Sequence, residues 1–418
     1  MTTSVLVVGA SIAGLRTAQA LRSHGFEGRL VLVGDEPHLP YDRPPLSKQF
    51  LTGGRDAASL ELVSERDAED AGIELRLGCP AVRLDLPGQQ VGLEDGTHLA
   101  YDNLVVATGA AARRPSWLPP SGTHVLRSRA DGEALAADLR RPGPVVVVGA
   151  GFIGCEVAAT ARSLGHEVTI VDPRQAPIGR AVGPEVGHYL TEQHHRHGVV
   201  TRFGVGVDNV DGHAGDLRVD LSDGTHLGAA TVVVGIGAVP NVAWLAGSGL
   251  EIDNGVLCDQ HSRALGAQDV FAVGDVARWY HPRHQKHVRA EHWTNAVEQA
   301  SCVAHNLLHR GDLRSYQPVE YVWSDQYDWK IQIVGMPSLA TGVQLVGNWT
   351  GNDARAAALY ADATGRLCGA LTVNWPQAQV RSRRMIARSA TFPESLQQIT
   401  DLRPSAAIAA SSSETQPR

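Results

Sequence analysis

Two glycine turns hold the chemistry that this chain can do. Val5-Leu6-Val7-Val8 runs into Gly9-Ala10-Ser11-Ile12-Ala13-Gly14, and Val145-Val146-Val147-Val148 runs into Gly149-Ala150-Gly151-Phe152-Ile153-Gly154. A short β-branched run is the pattern of a buried parallel strand, and a glycine turn after it lets backbone N–H groups at a helix N-terminus approach a pyrophosphate. Gly9 and Gly149 are expected to make the tight turn, Gly151 to admit the pyrophosphate, and Gly14 and Gly154 to let the helix pack on the strand. Ser11 stands where the first turn should have its middle glycine, which is tolerated if the seryl side chain points away.

Each turn is followed by an acid. Leu30-Val31-Leu32-Val33-Gly34 leads to Asp35, and Val168-Thr169-Ile170-Val171 leads to Asp172. Their distances from Gly14 and Gly154 fit the spacing of about 20 residues at which a carboxylate binds ribose hydroxyls. A lone glycine turn serves plain turn geometry just as well. Strand, turn and acid occurring together twice suggest two dinucleotides held at once, and the usual reason is to pass a hydride between them.

Composition bounds the rest. With 418 residues, 43% of them hydrophobic, the chain is expected to form two or three domains. A net charge of −7 argues against a general nucleic-acid binder. The sequence has no apolar run long enough to span a membrane, and the first strand begins too early for a signal peptide, so a cytoplasmic location is expected. Cys79, Cys155, Cys258, Cys302 and Cys368 are scattered. They lack the spacing of a zinc site or of a redox dithiol.

The turns demand elements to position them. A helix is expected over Ala13–His24, and the proline-rich segment from Glu36 to Lys48 reads as an ordered loop. Hairpin signals at Asp95-Gly96 and Asp223-Gly224 each precede a strand that ends in glycine: Leu104-Val105-Val106-Ala107-Thr108-Gly109, and Val232-Val233-Val234-Gly235-Ile236-Gly237. The repeat therefore extends to a whole domain. Asp269-Val270-Phe271-Ala272-Val273-Gly274-Asp275 is another strand that delivers a glycine and a carboxylate, and it is expected to cross back to the first half. From Tyr316 the pattern alternates, as in Lys330–Gly335, and points to a small third domain of mixed sheet. The Ser- and Ala-rich tail from Pro404 is expected to be disordered.

With these residues in place, the chain resembles the putidaredoxin reductase-like family of FAD-dependent ferredoxin reductases, which serve cytochromes P450 and other oxygenases. The likeness rests on the paired turns, Pro40-Tyr41-Asp42-Arg43-Pro44-Pro45-Leu46-Ser47-Lys48, Ala107-Thr108-Gly109, Val270–Asp275 and Trp323-Ser324-Asp325-Gln326-Tyr327. It implies an α/β fold of two Rossmann-like, glutathione reductase-like dinucleotide domains with a small α+β domain at the C-terminus. The expected boundaries are 1–112 with 241–315 for FAD, 113–240 for NAD, 316–402 for the last domain and 403–418 for the tail. FAD contacts are implied for Gly9, Ser11, Ala13, Gly14, Asp35, Arg43, Lys48, Val82, Ala107, Thr108, Gly109, Arg127, Gly274, Asp275 and Trp293. NAD contacts are implied for Gly149, Gly151, Phe152, Ile153, Gly154, Glu156, Asp172 and Gly237.

The resemblance also assigns roles. Lys48 is implied to lie near the N5 edge of the flavin, in an ion pair with Glu156, and Trp323 near the flavin edge where an iron–sulfur partner docks. NADH is the expected donor, because Asp172 repels a 2′-phosphate, although Arg174 and Arg180 offer partners to one. The expected partner is a [2Fe-2S] or similar ferredoxin and, through it, a P450 or oxygenase, the protein itself being monomer or homodimer. Basic runs at Arg278–Arg289 and Arg381–Arg388 either steer an acidic ferredoxin or form solvated faces. Reduction of a small acceptor and NADH sensing remain open as alternatives. His281, His284 and His287, like His194, His195 and His197, lack close Cys, Asp or Glu companions in sequence and are expected to bind no metal.

Overall fold

Ser4–Val8 and Val145–Val148 are the central strands of two separate five-stranded sheets. In the first, the order is Val270–Ala272, Asn103–Val106, Ser4–Val8, Arg29–Val33, Ile73–Arg76, with every pairing parallel. The second runs Val200–Phe203, Val168–Asp172, Val145–Val148, Thr231–Val234, Thr123–His124, again all parallel. Even the register repeats: Val8 pairs with Val33 and Val106, and Val148 pairs with Val171 and Val234. Val270–Ala272 crosses back to the first sheet and pairs in parallel with Asn103–Val106.

These contacts come from a computed structural model that describes residues 4–119 and 121–402. The tail expected to be disordered lies outside the described residues. Among the described residues no helix is long and apolar enough to cross a membrane.

The turns are held by two helices packed together on one face of the first sheet. Leu15, Ala18 and Leu21 of the helix Ile12–Ser23 pack with Val5, Val7, Leu30 and Leu32 of the strands and with Ala300, Val303 and Leu307 of the helix Trp293–Leu308. Leu15, Leu21 and Leu32 are fully buried, and each contributes about 1.5–3 kcal/mol of transfer free energy. Both expected hairpins form, Gln90–Leu93 with His98–Ala100 and Asp216–Leu221 with His226–Ala229.

The chain divides into two compact units, the first ending at Tyr327 and the second beginning at Asp328. Polar groups within 316–327 are bonded inside the first unit. The Tyr316 hydroxyl donates to Asn295 Oδ1 at 3.0 Å, and Tyr327 Oη lies 2.8 Å from His194 Nδ1. In the second unit Trp329–Gly335, Leu367–Val373, Arg355–Ala361 and Gly342–Asn348 lie side by side in that order. Their pairings are antiparallel, not mixed, and the two made by Arg355–Ala361 join strands linked by short connections. Helices Pro376–Ala387 and Phe392–Thr400 complete this α+β unit.

Candidate active site at two glycine turns

The two turns are built alike at atomic detail. Gly9 has φ +119°, and a Cβ there would lie 2.1 Å from Ala107 O; Gly149 has φ +101°, and its Cβ would lie 2.4 Å from Gly235 O. A Cβ on Gly14 would strike Gly9 O at 1.9 Å, and one on Gly154 would strike Gly149 O at 1.9 Å. Only glycine fits these four places. Gly151 differs, because a Cβ there would meet nothing nearer than Gly235 O at 3.8 Å. Its missing side chain serves the open space of the cradle rather than the protein's own packing, which is what a bound pyrophosphate needs.

Both helices after the turns begin bare. Ile12–Ser23 and Phe152–Ser163 have no side-chain cap and no acid in their first turn. Glu65–Asp70 and Arg129–Asp138, by contrast, start with Ser64 and Ser128 in complete capping boxes. Uncapped N–H groups and the positive end of a helix dipole are open to an anionic ligand. Ser11 Oγ is occupied by Arg43 Nε at 3.2 Å.

The first turn opens into a cleft lined by Asp35, Arg43, Thr108, Gly109 and Arg127. Asp35 is exposed. Arg127 Nη2 lies 2.7 Å from Asp275 Oδ2, and Arg43 bridges Glu36 Oε1 at 2.7 Å and Arg127 O at 2.5 Å. A Cβ on Gly274 would come within 2.9 Å of Ala13, so these two positions are neighbours. Trp293 Nε1 donates to Asp42 Oδ1 at 2.8 Å, and its ring meets Trp323 edge-on at 6.0 Å. Val82 is half-exposed on Ala81–Asp85 and does not line the cleft, whereas Cys79, Pro80 and Ala81 do.

The second turn is closed from below by Asp172, which is buried and accepts from Ala150 N and Arg174 N, both at 2.8 Å. The carboxylate so fixed keeps lone pairs for a sugar hydroxyl. Phe152 and Ile153 start the helix; Ile153 is exposed, as is Gly237, beyond the parallel strand Thr231–Val234. The Arg180 side chain lies outside the described residues.

Lys48 and Glu156 join the two halves. Lys48 Nζ lies 2.6 Å from Glu156 Oε2, with side-chain exposures of 14% and 5%. Ser47 Oγ donates to the same oxygen at 2.5 Å, and Ser324 Oγ donates to Glu156 Oε1 at 2.8 Å. Thr160 Oγ1 donates to Ser47 O at 2.8 Å and pins the loop to the second helix. Sequence reasoning placed the ion pair but missed Ser47 and Ser324 as its supports. Ser324 lies within a motif already singled out, yet no spacing connects it to Glu156.

The cysteines are free. Burial pushes the Cys155 and Cys258 thiols up, and those of Cys302 and Cys368 up to about 11. Those four stay protonated near neutrality and are poor redox nucleophiles.

Residues 3–300 match the pyridine nucleotide-disulphide oxidoreductase family and residues 321–405 the reductase C-terminal family. The chain belongs to the first of these families and ends in a domain of the second. It is 38% identical to rhodocoxin reductase of Rhodococcus erythropolis over 390 residues, covering 92% of this chain and 89% of the relative. It is 36% identical to the ferredoxin–NAD(+) reductase component of the p-cumate 2,3-dioxygenase system of Pseudomonas putida, covering 94% and 95%. The structure aligns with the covalent putidaredoxin reductase–putidaredoxin complex at a TM-score of 0.87 and 32% identity, covering 93% of each chain.

Proposed function

We propose that this protein is a ferredoxin reductase that takes electrons from NADH through FAD and hands them to an iron–sulfur ferredoxin supplying a P450 or other oxygenase. The observation that carries the reading is the buried Lys48–Glu156 pair, which ties together two uncapped, glycine-cradled helix N-termini. Bound FAD supplies the conversion of a hydride pair into single electrons that an iron–sulfur cluster can accept.

The chain's own residues bind, orient and supply charge. The N-terminus of Ile12–Ser23 holds the FAD pyrophosphate, Asp35 its ribose, and Arg43, Arg127 and Asp275 the remainder of the cleft. Lys48 is a fixed positive charge at the ring's reactive edge, kept in place by Glu156, Ser47 and Ser324. Gly149 and Gly151 cradle the nicotinamide dinucleotide, and Asp172 favours NADH over NADPH by its negative charge. Residues 1–112 with 241–315 form the FAD half and 113–240 the NAD half. Trp323, beside Trp293, lies on the path toward the ferredoxin. The same reading places the protein in the cytoplasm, where NADH is supplied.

Docking draws on fewer free charges than the sequence offers. Arg278 pairs with Asp253, Arg289 Nη1 lies 2.6 Å from Glu291 Oε1, and Arg388 pairs with Glu394. Arg381 and Arg384 are exposed on Pro376–Ala387 and are the better steering charges.

Cytochrome c reduction by NADH tests the function. It is expected to require both this protein and added ferredoxin. Equal reduction without ferredoxin points to a small acceptor and contradicts the proposal.

A further inference from the structure

His281, His284 and Glu320 converge in the first unit although Glu320 is far from the histidines in sequence. His281 closes the strand Ala277–His281, His284 lies in the turn before Lys286–Val288, and Glu320 immediately precedes the strand Tyr321–Gln326. The hairpin register, with His281 opposite Lys286, sets where the two rings stand, and their centroids are 4.3 Å apart. The acidic companion that the sequence did not reveal is Glu320.

The separations suit a metal. Glu320 Oε1 lies 3.5 Å from His281 Nε2 and 3.0 Å from His284 Nε2, and all three ligating atoms are within 4.8 Å of one another. Donors bound at about 2.0–2.1 Å around a tetrahedral zinc ion stand about 3.3 Å apart. The two observed separations bracket that value.

A second observation points to a missing ligand. The Glu320 side chain is 8% exposed, and its Oε2 is buried without a hydrogen-bond partner. Arg283, which lies between the two histidines in sequence, sends its Nη1 to Pro318 O at 3.4 Å instead. Ligation through His281 Nε2 moves the ring proton to Nδ1. It gives up the long contacts from Arg283 N at 3.2 Å and to Pro318 O at 3.3 Å.

We propose that His281, His284 and Glu320 form a binding site for a divalent transition-metal ion of the zinc type, with water as the remaining ligand. Two imidazoles and one carboxylate favour zinc or cobalt over calcium or magnesium. The ion ties the hairpin Ala277–Val288 to the residue that opens Tyr321–Gln326, the strand bearing Trp323 and Ser324. Its role is to fix that strand.

The test uses the FAD-loaded, full-length protein, stripped with a chelator and titrated with zinc chloride or cobalt chloride. One equivalent of zinc is expected to bind. His284→Ala and Glu320→Gln should bind it more than about 100-fold more weakly, because losing even an outer-shell partner costs about 10- to 100-fold. His287→Ala serves as a control, since His287 pairs with Tyr280 on the neighbouring strand and should leave binding unchanged. The cobalt adduct of the unaltered protein should show the intense visible bands of a four-coordinate ion. Undiminished zinc binding in both variants, or no binding to the unaltered protein, overturns the site and leaves a plain hydrogen-bonded cluster. Should the variants fail to fold, as read from flavin absorbance and circular dichroism, the cobalt spectrum decides, and a six-coordinate spectrum overturns the proposal.

Discussion

Lys48 Nζ stands 2.6 Å from Glu156 Oε2, and this one buried contact links the loop over the first glycine cradle to the helix that opens at the second. Removing the charge of either residue leaves the other's unpaired. Lys48→Met is expected to slow hydride transfer from NADH by about 10- to 100-fold, as loss of a preorganised charge does. Stopped-flow absorbance at the flavin band checks this, and an unchanged rate removes the catalytic role of Lys48. Glu156→Ala is expected to destabilise the protein by about 3–5 kcal/mol in urea denaturation, since it strands a buried cation.

Asp172 sets the donor through its charge and supports the cradle through its two backbone contacts. Asp172→Asn retains an acceptor oxygen while removing the charge. The ratio of kcat/KM for NADPH to that for NADH is expected to rise about 10-fold, a change of about 1.4 kcal/mol. If steady-state kinetics show no change in the ratio, selectivity does not reside in this carboxylate.

Arg127 and Asp275 close the first cleft through a 2.7 Å ion pair. Arg127→Ala should loosen FAD by about 10-fold, because it removes charge-assisted hydrogen bonds. Flavin fluorescence released on dilution measures the loss, and full retention of FAD argues against the assignment.

Acid should weaken the fold through His194. The ring is fully buried in the helix Gly179–Arg196, its Nε2 has no partner, and burial above all, with His195 and His197 nearby, lowers its pKa to about 4. Unfolded, it titrates near 6.5. Between about pH 6.5 and pH 4 the unfolded chain therefore binds a proton that the native state refuses, and stability falls as pH falls across that window. This group contributes about 3 kcal/mol to the loss. Urea midpoints measured from pH 7 to pH 4 should decline less steeply for His194→Gln; equal slopes would falsify the attribution.

The sequence revealed what depends on local spacing. Strand, turn and acid lie within a few dozen residues, so Gly9, Gly149, Asp35 and Asp172 could be read directly, and the crossing of Val270–Ala272 followed from both half-domains being already complete. What depends on tertiary approach stayed hidden. Ser324 reaches Glu156 and Glu320 reaches His284 from remote segments, and neither pair leaves a periodic trace. The expected boundary near Tyr316 rests on a change of strand texture, which is local, whereas the bonds of Tyr316 to Asn295 and of Tyr327 to His194 depend on tertiary approach.

Electron flow from NADH to a ferredoxin is the central claim, and anaerobic stopped flow with the FAD-loaded protein, NADH and an oxidised [2Fe-2S] ferredoxin tests it most directly. The flavin band should bleach first and the ferredoxin band should follow at a rate that depends on ferredoxin concentration and falls with salt. Bleaching of the flavin while the ferredoxin stays oxidised contradicts the account.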